Sequence, residues 1–169
     1  KDVQWSEQGM VASFKFIQKF WLLHKKIILK ISVKENNTES ESMDNFTNTL
    51  IDKITKNLEK FHYNVIVANF YETYNFLIKE IEKPINNNSL IENYKKILIL
   101  LQPLIPHFAL ECLTEIDSKY EAKWPLVNLK LIKRETFRIV VQVNGKKRGL
   151  LFSESRTTEK KLIEYYNNL

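Results

Sequence analysis

Four lysines near the start of the chain have the spacing of an anion-binding surface. At about 100° of rotation per helical residue they fall within about 60° of one another on one side of a helix; they are Lys15, Lys19, Lys26 and Lys30. Ammonium groups aligned over several turns can meet the phosphates of a nucleic acid backbone. The same pattern is also typical of a solvated helix face, so both interpretations stay open at this point.

A second basic group follows the strongest turn signal in the chain. Asn144-Gly145 is typical of a two-residue β-hairpin turn, because both residues tolerate the left-handed backbone that such a turn needs. Just beyond this predicted tip come Lys146, Lys147 and Arg148. Residues 126–169 carry six Lys and four Arg against four Glu, a net charge of +6. Clustered positive charge favours a polyanionic partner, although it also keeps many proteins in solution.

Residues suited to catalysis or metal binding are few and scattered. The single Cys112 and the three histidines, His24, His62 and His107, lack the spacing of zinc ligands. His107 and Glu111 are four residues apart and could act as acid and base, but without a nucleophile a structural hydrogen bond is the favoured interpretation. Cys112 lies in an apolar helical pattern and is expected to be a buried, inert thiol. We therefore predict no catalytic residue and no metal ligand.

The composition is that of a folded domain built mainly from helices. The 169 residues are 44% hydrophobic and 27% charged, with only 3 Gly and 4 Pro to form turns or phosphate-binding loops. One Cys allows no internal disulfide, and no apolar run reaches the roughly 18 residues of a membrane span. We expect an intracellular protein without a membrane segment, and the missing initiator Met suggests a piece of a longer polypeptide.

The first predicted helix must position the four lysines. Apolar periodicity predicts it over about residues 10–31, with the lysines opposite a wide buried stripe. One row of that stripe contains Phe14, Ile17 and Trp21, which we expect to be buried, and a second row contains Phe16, Phe20, Leu23 and Ile27. A polar, acidic loop is expected over residues 34–45, because this segment has the composition of a mobile connector.

Four more helices are predicted before residue 125, over about 45–61, 64–81, 90–101 and 106–116. Asn64 is the expected N-cap of the third helix, and Ser89 with Glu92 forms a capping box for the fourth. Phe61 and Phe70 lie at core spacing. The fold class is therefore mainly α, with a five-helix bundle over residues 1–125.

The pattern changes after residue 125. A β-hairpin is predicted over about residues 136–153, from a β-branched strand at 137–143 and a return strand at 150–152. A helix is expected over about 157–168. One hairpin and one helix are a marginal unit, so residues 126–169 are predicted to form an incomplete small α+β domain.

Several local strings, taken in order, resemble the C-terminal part of the bacterial-type leucyl-tRNA synthetases. The string Val-Gln-Val-Asn-Gly-Lys-x-Arg-Gly at residues 141–149 resembles the leucyl enzymes rather than their isoleucyl, valyl or methionyl relatives. The other matching strings are Asp2 to Gly9, Lys15 to Lys19 with Trp21, Phe61 to Asn64 with Ala68, Pro103, Pro106-His107 with Glu111, and Trp124-Pro125.

The resemblance implies a fold and a ligand. In that family this region is the helical anticodon-binding domain of class I synthetases, followed by a small C-terminal α/β domain, and its ligand is tRNA. The residues implied to contact tRNA are Lys15, Lys19, Lys26, Lys30, Lys146, Lys147 and Arg148. The first helix has Lys where the family usually has Arg, and Leu22 replaces a further Arg. Lysine keeps the charge but loses the planar fork that binds phosphate through two hydrogen bonds.

The chemistry of the parent enzyme is expected to lie elsewhere. Neither a His-Ile-Gly-His nor a Lys-Met-Ser-Lys-Ser string occurs, so the chain should bind no cofactor, while the parent enzyme uses ATP and magnesium. The implied partners are leucine tRNA isoacceptors and the remaining domains of a cytoplasmic, monomeric enzyme. Two alternatives remain: the equivalent domain of an isoleucyl, valyl or methionyl enzyme, or a helical protein-interaction module.

Overall fold

The computed structural model describes residues 6–33, 41–121, 123–132, 137–143 and 146–153. The chain divides into two compact units, Lys1–Ile132 and Lys133–Leu169. The sequence placed this boundary after residue 125, seven residues earlier. Residues 126–132 stay with the helical unit because the Asn128 N–H donates to Asn48 Oδ1 at 2.9 Å, and a short 3-10 turn, Leu129–Leu131, packs against the second helix.

Five α-helices make up the described part of the first unit, as the sequence predicted. The second helix packs against both the third and the fourth, and the fifth packs against the fourth. The helices are α1, Glu7–Ser32; α2, Glu41–Glu59; α3, Tyr63–Ile81; α4, Asn87–Leu101; and α5, Pro106–Ile116. None of these helices is long and apolar enough to cross a lipid bilayer.

Local hydrogen bonds move several helix starts from their predicted positions. Ser6 Oγ accepts from the Gly9 N–H at 3.2 Å, so α1 starts at Glu7 instead of residue 10. The predicted capping box of Ser89 is wrong: Asn86 Oδ1 accepts from the N–H groups of Asn88 and Ser89 at 2.9 and 3.2 Å, and α4 starts at Asn87. Because the helix starts three residues upstream of the predicted cap, the N–H groups that Ser89 would have capped lie inside the helix and need no side-chain cap.

Two further predicted boundaries need correction. The acidic segment predicted as a loop to residue 45 is helical from Glu41, because Glu41 and Asp44 in the first turn complement the partial positive charge of the helix start. Asn64 was expected to cap α3, but that helix already includes Tyr63 and follows His62, which makes no side-chain cap hydrogen bond. The predicted bounds of α5 are confirmed, since Pro106 occupies its first turn.

The core uses only one of the two rows of apolar side chains in the wide stripe that the sequence predicted on α1. Phe20, Leu23 and Ile27 are buried and face apolar side chains of the other four helices. Phe14 was expected in the core but is 61% exposed, and the core position predicted for Phe61 is also wrong, at 74% exposed. Ile17 and Trp21 are only half-buried. Both rows of α1 are apolar, so periodicity alone could not choose between them. The buried position predicted for Phe70 is confirmed.

A buried histidine ties α1 to two other helices. His24 is fully buried, with Nδ1 3.2 Å from Tyr94 Oη of α4 and Nε2 3.0 Å from Glu115 Oε2 of α5. The last turn of α1 is held separately, because Asn87 Nδ2 donates to the carbonyl oxygens of Ile31 and Val33 at 3.2 and 2.6 Å. These contacts fix both the rotation of α1 about its axis and its position along the bundle.

The protonation state of His24 follows from its two partners. Burial lowers the pKa of His24 despite the opposing hydrogen bond and charge of Glu115, so the ring is neutral at pH 7. The Glu115 carboxylate can only accept, because hydrogen bonds from Lys25 and His24 lower its pKa. Nε2 therefore carries the hydrogen, and the Tyr94 hydroxyl donates to Nδ1. Burial raises the pKa of Tyr94, which keeps this hydroxyl protonated.

The described part of the second unit is a two-stranded antiparallel hairpin. Strand β1, Phe137–Val143, has the predicted bounds, but β2, Lys146–Ser153, is longer than the predicted return strand at 150–152. The pairing runs to Lys146 through a bulge: Val141 pairs with Gly149 and Gln142 with Lys147. The helix predicted over 157–168 lies outside the described residues.

The contrast between two phenylalanines of α1 tests the position of the core. Phe20→Ala should lower the free energy of unfolding by roughly 3 to 5 kcal/mol, because it removes a fully buried ring. Phe14→Ala should change it by no more than about 0.5 kcal/mol. Urea denaturation followed by circular dichroism measures both; a larger loss for Phe14→Ala would place the core on the other row.

The buried histidine predicts an acid-sensitive fold. His24 has a lower pKa folded than unfolded, so the free energy of unfolding should fall as pH drops below about 6.5 and keep falling to the lowered folded pKa. His24→Gln, which does not titrate, should flatten this dependence in urea titrations between about pH 7.5 and 5. His107→Gln, at an exposed position, is the control and should keep the slope. An unchanged slope in His24→Gln would contradict the assignment.

Candidate nucleic-acid interface

The exposed surface of α1 carries three lysines in a row along one flank of the helix, which we name the basic strip: Lys15, Lys19 and Lys26. At about 100° per residue they lie roughly 100 to 120° around α1 from Phe20 and Ile27, and Lys19 is one turn before the buried Leu23. The lysines therefore border the core side of α1, whereas the sequence predicted them opposite it. Among the described residues, none of the three has an ion pair with a carboxylate. Their positive charge therefore faces solvent without an internal counter-charge.

The fourth predicted lysine, Lys30, differs from the other three. It lies one turn beyond Lys26 on the same side of α1, but it is only partly exposed and has an interaction within the chain. The first helix thus brings together three of its predicted contact residues at its surface, with the fourth at the edge.

A neighbouring lysine that the sequence analysis did not single out is already occupied. Lys25 Nζ lies 2.8 and 2.7 Å from the two carboxylate oxygens of Glu115, and 4.5 Å from the centre of the Trp21 ring. Its ammonium is therefore neutralised by a carboxylate and covered by an aromatic face. Lys25 links the outward surface of α1 to the buried His24 through the shared Glu115. No pattern in the sequence could have found this pairing, because Glu115 is 90 residues away.

Apolar side chains border the basic strip. Leu22 and Leu29 are 63% and 67% exposed on the outward side of α1. Leu22 stands where the resembling family usually has Arg, so the strip has no charge at this position. An anionic backbone that follows α1 would therefore meet charge on the side of Lys15, Lys19 and Lys26 only.

The second predicted basic segment belongs to a strand. Lys146, Lys147 and Arg148, which were expected just beyond the hairpin tip, form the first three residues of β2. Lys146 and Lys147 pair with Val143 and Gln142, and Arg148 is the extra residue of the bulge. Backbone pairing fixes this segment more firmly than a loop would. This segment belongs to the second unit, whereas the basic strip belongs to the first.

The candidate acid and base do not form a site. His107 and Glu111 are both exposed on α5, and no hydrogen bond joins them in the described part of the chain. The predicted inert character of Cys112 agrees with its burial, which raises the pKa of the thiol to about 12. No group of three or more His, Cys, Asp or Glu suited to a metal ion occurs among the described residues.

The chain is similar to a known protein family and to individual members of it. The family model of the anticodon-binding domain of tRNA ligase matches residues 41–163. Leucine–tRNA ligase from Geotalea daltonii is 30% identical over 171 residues, covering 94% of this chain and 21% of that protein. The one from Prochlorococcus marinus strain MIT 9301 is 29% identical over 153 residues, covering 88% of this chain and 18% of that protein.

A solved structure has the same fold. The LeuRS–tRNA–LeuAMS ternary complex from Agrobacterium radiobacter K84 matches 99% of this chain and 23% of its own chain, with a TM-score of 0.69 and 20% sequence identity. The present chain spans about a fifth of the length of the curated relatives that it matches. The family model matches most of the chain, and the solved structure has the same fold. The chain therefore belongs to the family of anticodon-binding domains of tRNA ligases.

Proposed function

We propose that this chain is the tRNA-positioning part of a leucine–tRNA ligase, and that the basic strip of α1 binds the tRNA backbone. The observation that carries the proposal is the row of exposed lysines without acidic partners in the described residues. The family assignment supports a role in a tRNA ligase, and the relatives compared above bear the name leucine–tRNA ligase.

The mechanism is electrostatic positioning. Lysines bind phosphates as point charges and read no base sequence, so they add affinity and orientation without specificity. His24 and Asn87 hold α1 at its middle and its end, so the lysines of the basic strip project from a helix whose position is fixed. A bound tRNA would thereby be oriented toward an active site in another part of the ligase.

We also propose a division of labour within the ligase: leucine activation belongs to the rest of the polypeptide. The 169 residues contain neither of the two ATP-binding signatures of the family. The rival interpretation, a module that binds only proteins, uses the same lysines merely for solubility. The dependence of tRNA binding on salt separates the two functions.

Removing the basic strip should weaken tRNA binding in a salt-dependent manner. In the full ligase polypeptide, replacing Lys15, Lys19 and Lys26 with Ala should lower the slope of log affinity against log salt by roughly 2 to 3 units, at about 0.7 to 0.9 per phosphate contact. Fluorescence anisotropy with labelled leucine tRNA over a salt series measures this.

The matched control removes the same charge from lysines that lie beside carboxylates. Lys56 and Lys123 pair with Asp52 and Glu121, and Lys119 lies next to Asp117. Replacing these three with Ala should leave the slope unchanged. An equal decrease of the slope in both triple variants would mean that the basic strip acts only through the net charge of the protein and makes no specific phosphate contacts.

The basic segment of β2 provides an independent test in the second unit. Replacing Lys146, Lys147 and Arg148 with Ala should also lower the slope, by up to roughly 3 units if all three contact phosphate. Leucine activation without tRNA should stay unchanged in this variant. A wild-type slope would remove these three residues from the proposed interface and leave the strip of α1 as the tRNA contact.

The isolated 169-residue chain should show no leucine-dependent exchange of pyrophosphate into ATP, because it lacks both ATP-binding signatures. The assay follows labelled ATP formed from labelled pyrophosphate, with a tag-only sample as its background. Turnover above that background would place an activating site within this chain and overturn the proposed division of labour.

A further inference from the structure

The turn between α2 and α3 has a backbone that normally requires glycine. The Phe61 N–H donates to the Leu58 carbonyl at 3.0 Å and the His62 N–H to the Asn57 carbonyl at 2.9 Å, which is the hydrogen-bond pattern of a Schellman motif. Phe61 is the residue after the cap and has φ of 55°. It is the only non-glycine residue with positive φ among those described. A Cβ makes this conformation unfavourable, most of all for a bulky side chain.

Packing among the described residues does little to offset this strain. The Phe61 ring is 74% exposed and meets the Tyr63 ring edge-on, with ring centres 6.3 Å apart. Glycine would form the same turn without strain, and the core would lose no packing. A strained, exposed aromatic ring therefore points to a contact outside the described fold.

Tyr63 connects this turn to an apolar groove between α1, α3 and the end of α4. The groove has a volume of about 350 Å³, and no charged side chain lines it. Its lining residues are Ser13, Phe16, Ile17, Tyr63, Val67, Phe70, Tyr71, Leu101, Pro103, Leu104 and Ile105.

Exposed apolar side chains cluster around the same end of the bundle. Half of the large hydrophobic residues that are exposed in the described structure lie on the first turns of α1 or between Phe61 and Tyr71. They are Met10, Val11, Phe14, Phe61, Tyr63, Val65, Val67 and Tyr71. Tyr63, Val67 and Tyr71 of this set also line the groove, and exposed apolar side chains beside an apolar groove are typical of an interface with protein.

We propose that this surface, which we name the Phe61 face, docks an apolar surface of another domain of the same ligase polypeptide. The relatives are about five times as long as this chain, so such a polypeptide supplies ample partner surface. The inference rests on the proposed function to the extent that it places this chain within a longer ligase.

The arrangement of charge favours protein over RNA as the occupant. Ser13, Phe16 and Ile17 line the groove from a side of α1 that lies roughly 120° from the basic strip. A tRNA held by the strip would therefore run along a different face. The groove has aromatic rings on which a base could stack, but it has no positively charged side chain, whereas grooves for single-stranded RNA combine stacking rings with positive charge along the backbone.

Two substitutions of Phe61 separate its strain from its contact. In the isolated chain, Phe61→Gly should raise the thermal midpoint by about 2 to 4 °C because it relieves the backbone, whereas Phe61→Ala keeps the Cβ and should not. Leu126→Gly is the control, since Leu126 is 91% exposed and lies outside the groove and the strained turn; it should not raise the midpoint. No gain in Phe61→Gly would overturn the strain argument and the inference with it.

Docking is measured by hydroxyl-radical oxidation of Tyr63 and Tyr71, which are 49% and 42% exposed in this chain. Without tRNA, both should oxidise several-fold more slowly in the full ligase polypeptide than in the isolated chain. Phe61→Gly and Phe61→Ala should each restore much of the fast oxidation, while Leu126→Gly should not.

Three results would overturn the proposal. Equal oxidation in the full polypeptide and the isolated chain would mean that no domain covers the Phe61 face. Protection that appears only when tRNA is added would assign the face to RNA, and protection that grows with concentration of the isolated chain would assign it to a second copy. A failed salt-slope experiment alongside tRNA-independent protection would reject the tRNA role and leave the docking surface standing.

Discussion

The orientation of α1 depends on one buried imidazole. His24 accepts from Tyr94 of α4 and donates to Glu115 of α5, so it can satisfy both nitrogens only when α1 has a single rotation about its axis. Turning the helix would leave the buried His24 ring and the buried Tyr94 hydroxyl without partners, which costs more than an average hydrogen bond contributes. Apolar packing alone would be less selective, because α1 has two rows of apolar side chains.

The surfaces of the first unit follow from that rotation. With His24, Phe20 and Ile27 inward, the basic strip faces solvent on one side and the wall of the apolar groove lies on another. Glu115 links the core side and the surface of α1, because its carboxylate accepts hydrogen bonds from the buried His24 and from Lys25 at the surface. One helix thereby separates a surface suited to phosphate from a surface suited to protein, about a third of a turn apart.

Signals that depend on neighbouring residues were readable from the sequence, and those that depend on distant partners were not. Pro106 marked the start of α5 and the β-branched run marked β1, because both act through the local backbone. The five-helix bundle followed from apolar periodicity in the same way. The cap of α4 was misplaced by three residues because Asn86 and Ser89 are both good caps, and the local pattern cannot rank them.

In the candidate site, too, the features that depend on nearby residues were predictable and those that depend on distant residues were not. The spacing of Lys15, Lys19 and Lys26 predicted one helix face, and all three are exposed there. The sequence could not predict that Lys25 is neutralised, that Phe14 lies outside the core or that Phe61 has a left-handed backbone. Each depends on residues far away in the chain or on a conformation that Phe rarely adopts.

The most direct test of the account is lysine reactivity in the full ligase polypeptide, measured by brief acetylation with and without leucine tRNA. The account predicts that tRNA slows modification of Lys15, Lys19 and Lys26, leaves Lys56 and Lys123 unaffected, and finds Lys25 slow in both states because Glu115 holds it. Equal protection of every exposed lysine by tRNA would contradict the account. So would unchanged acetylation of Lys15, Lys19 and Lys26 when tRNA is added, because the basic strip would then make no phosphate contact.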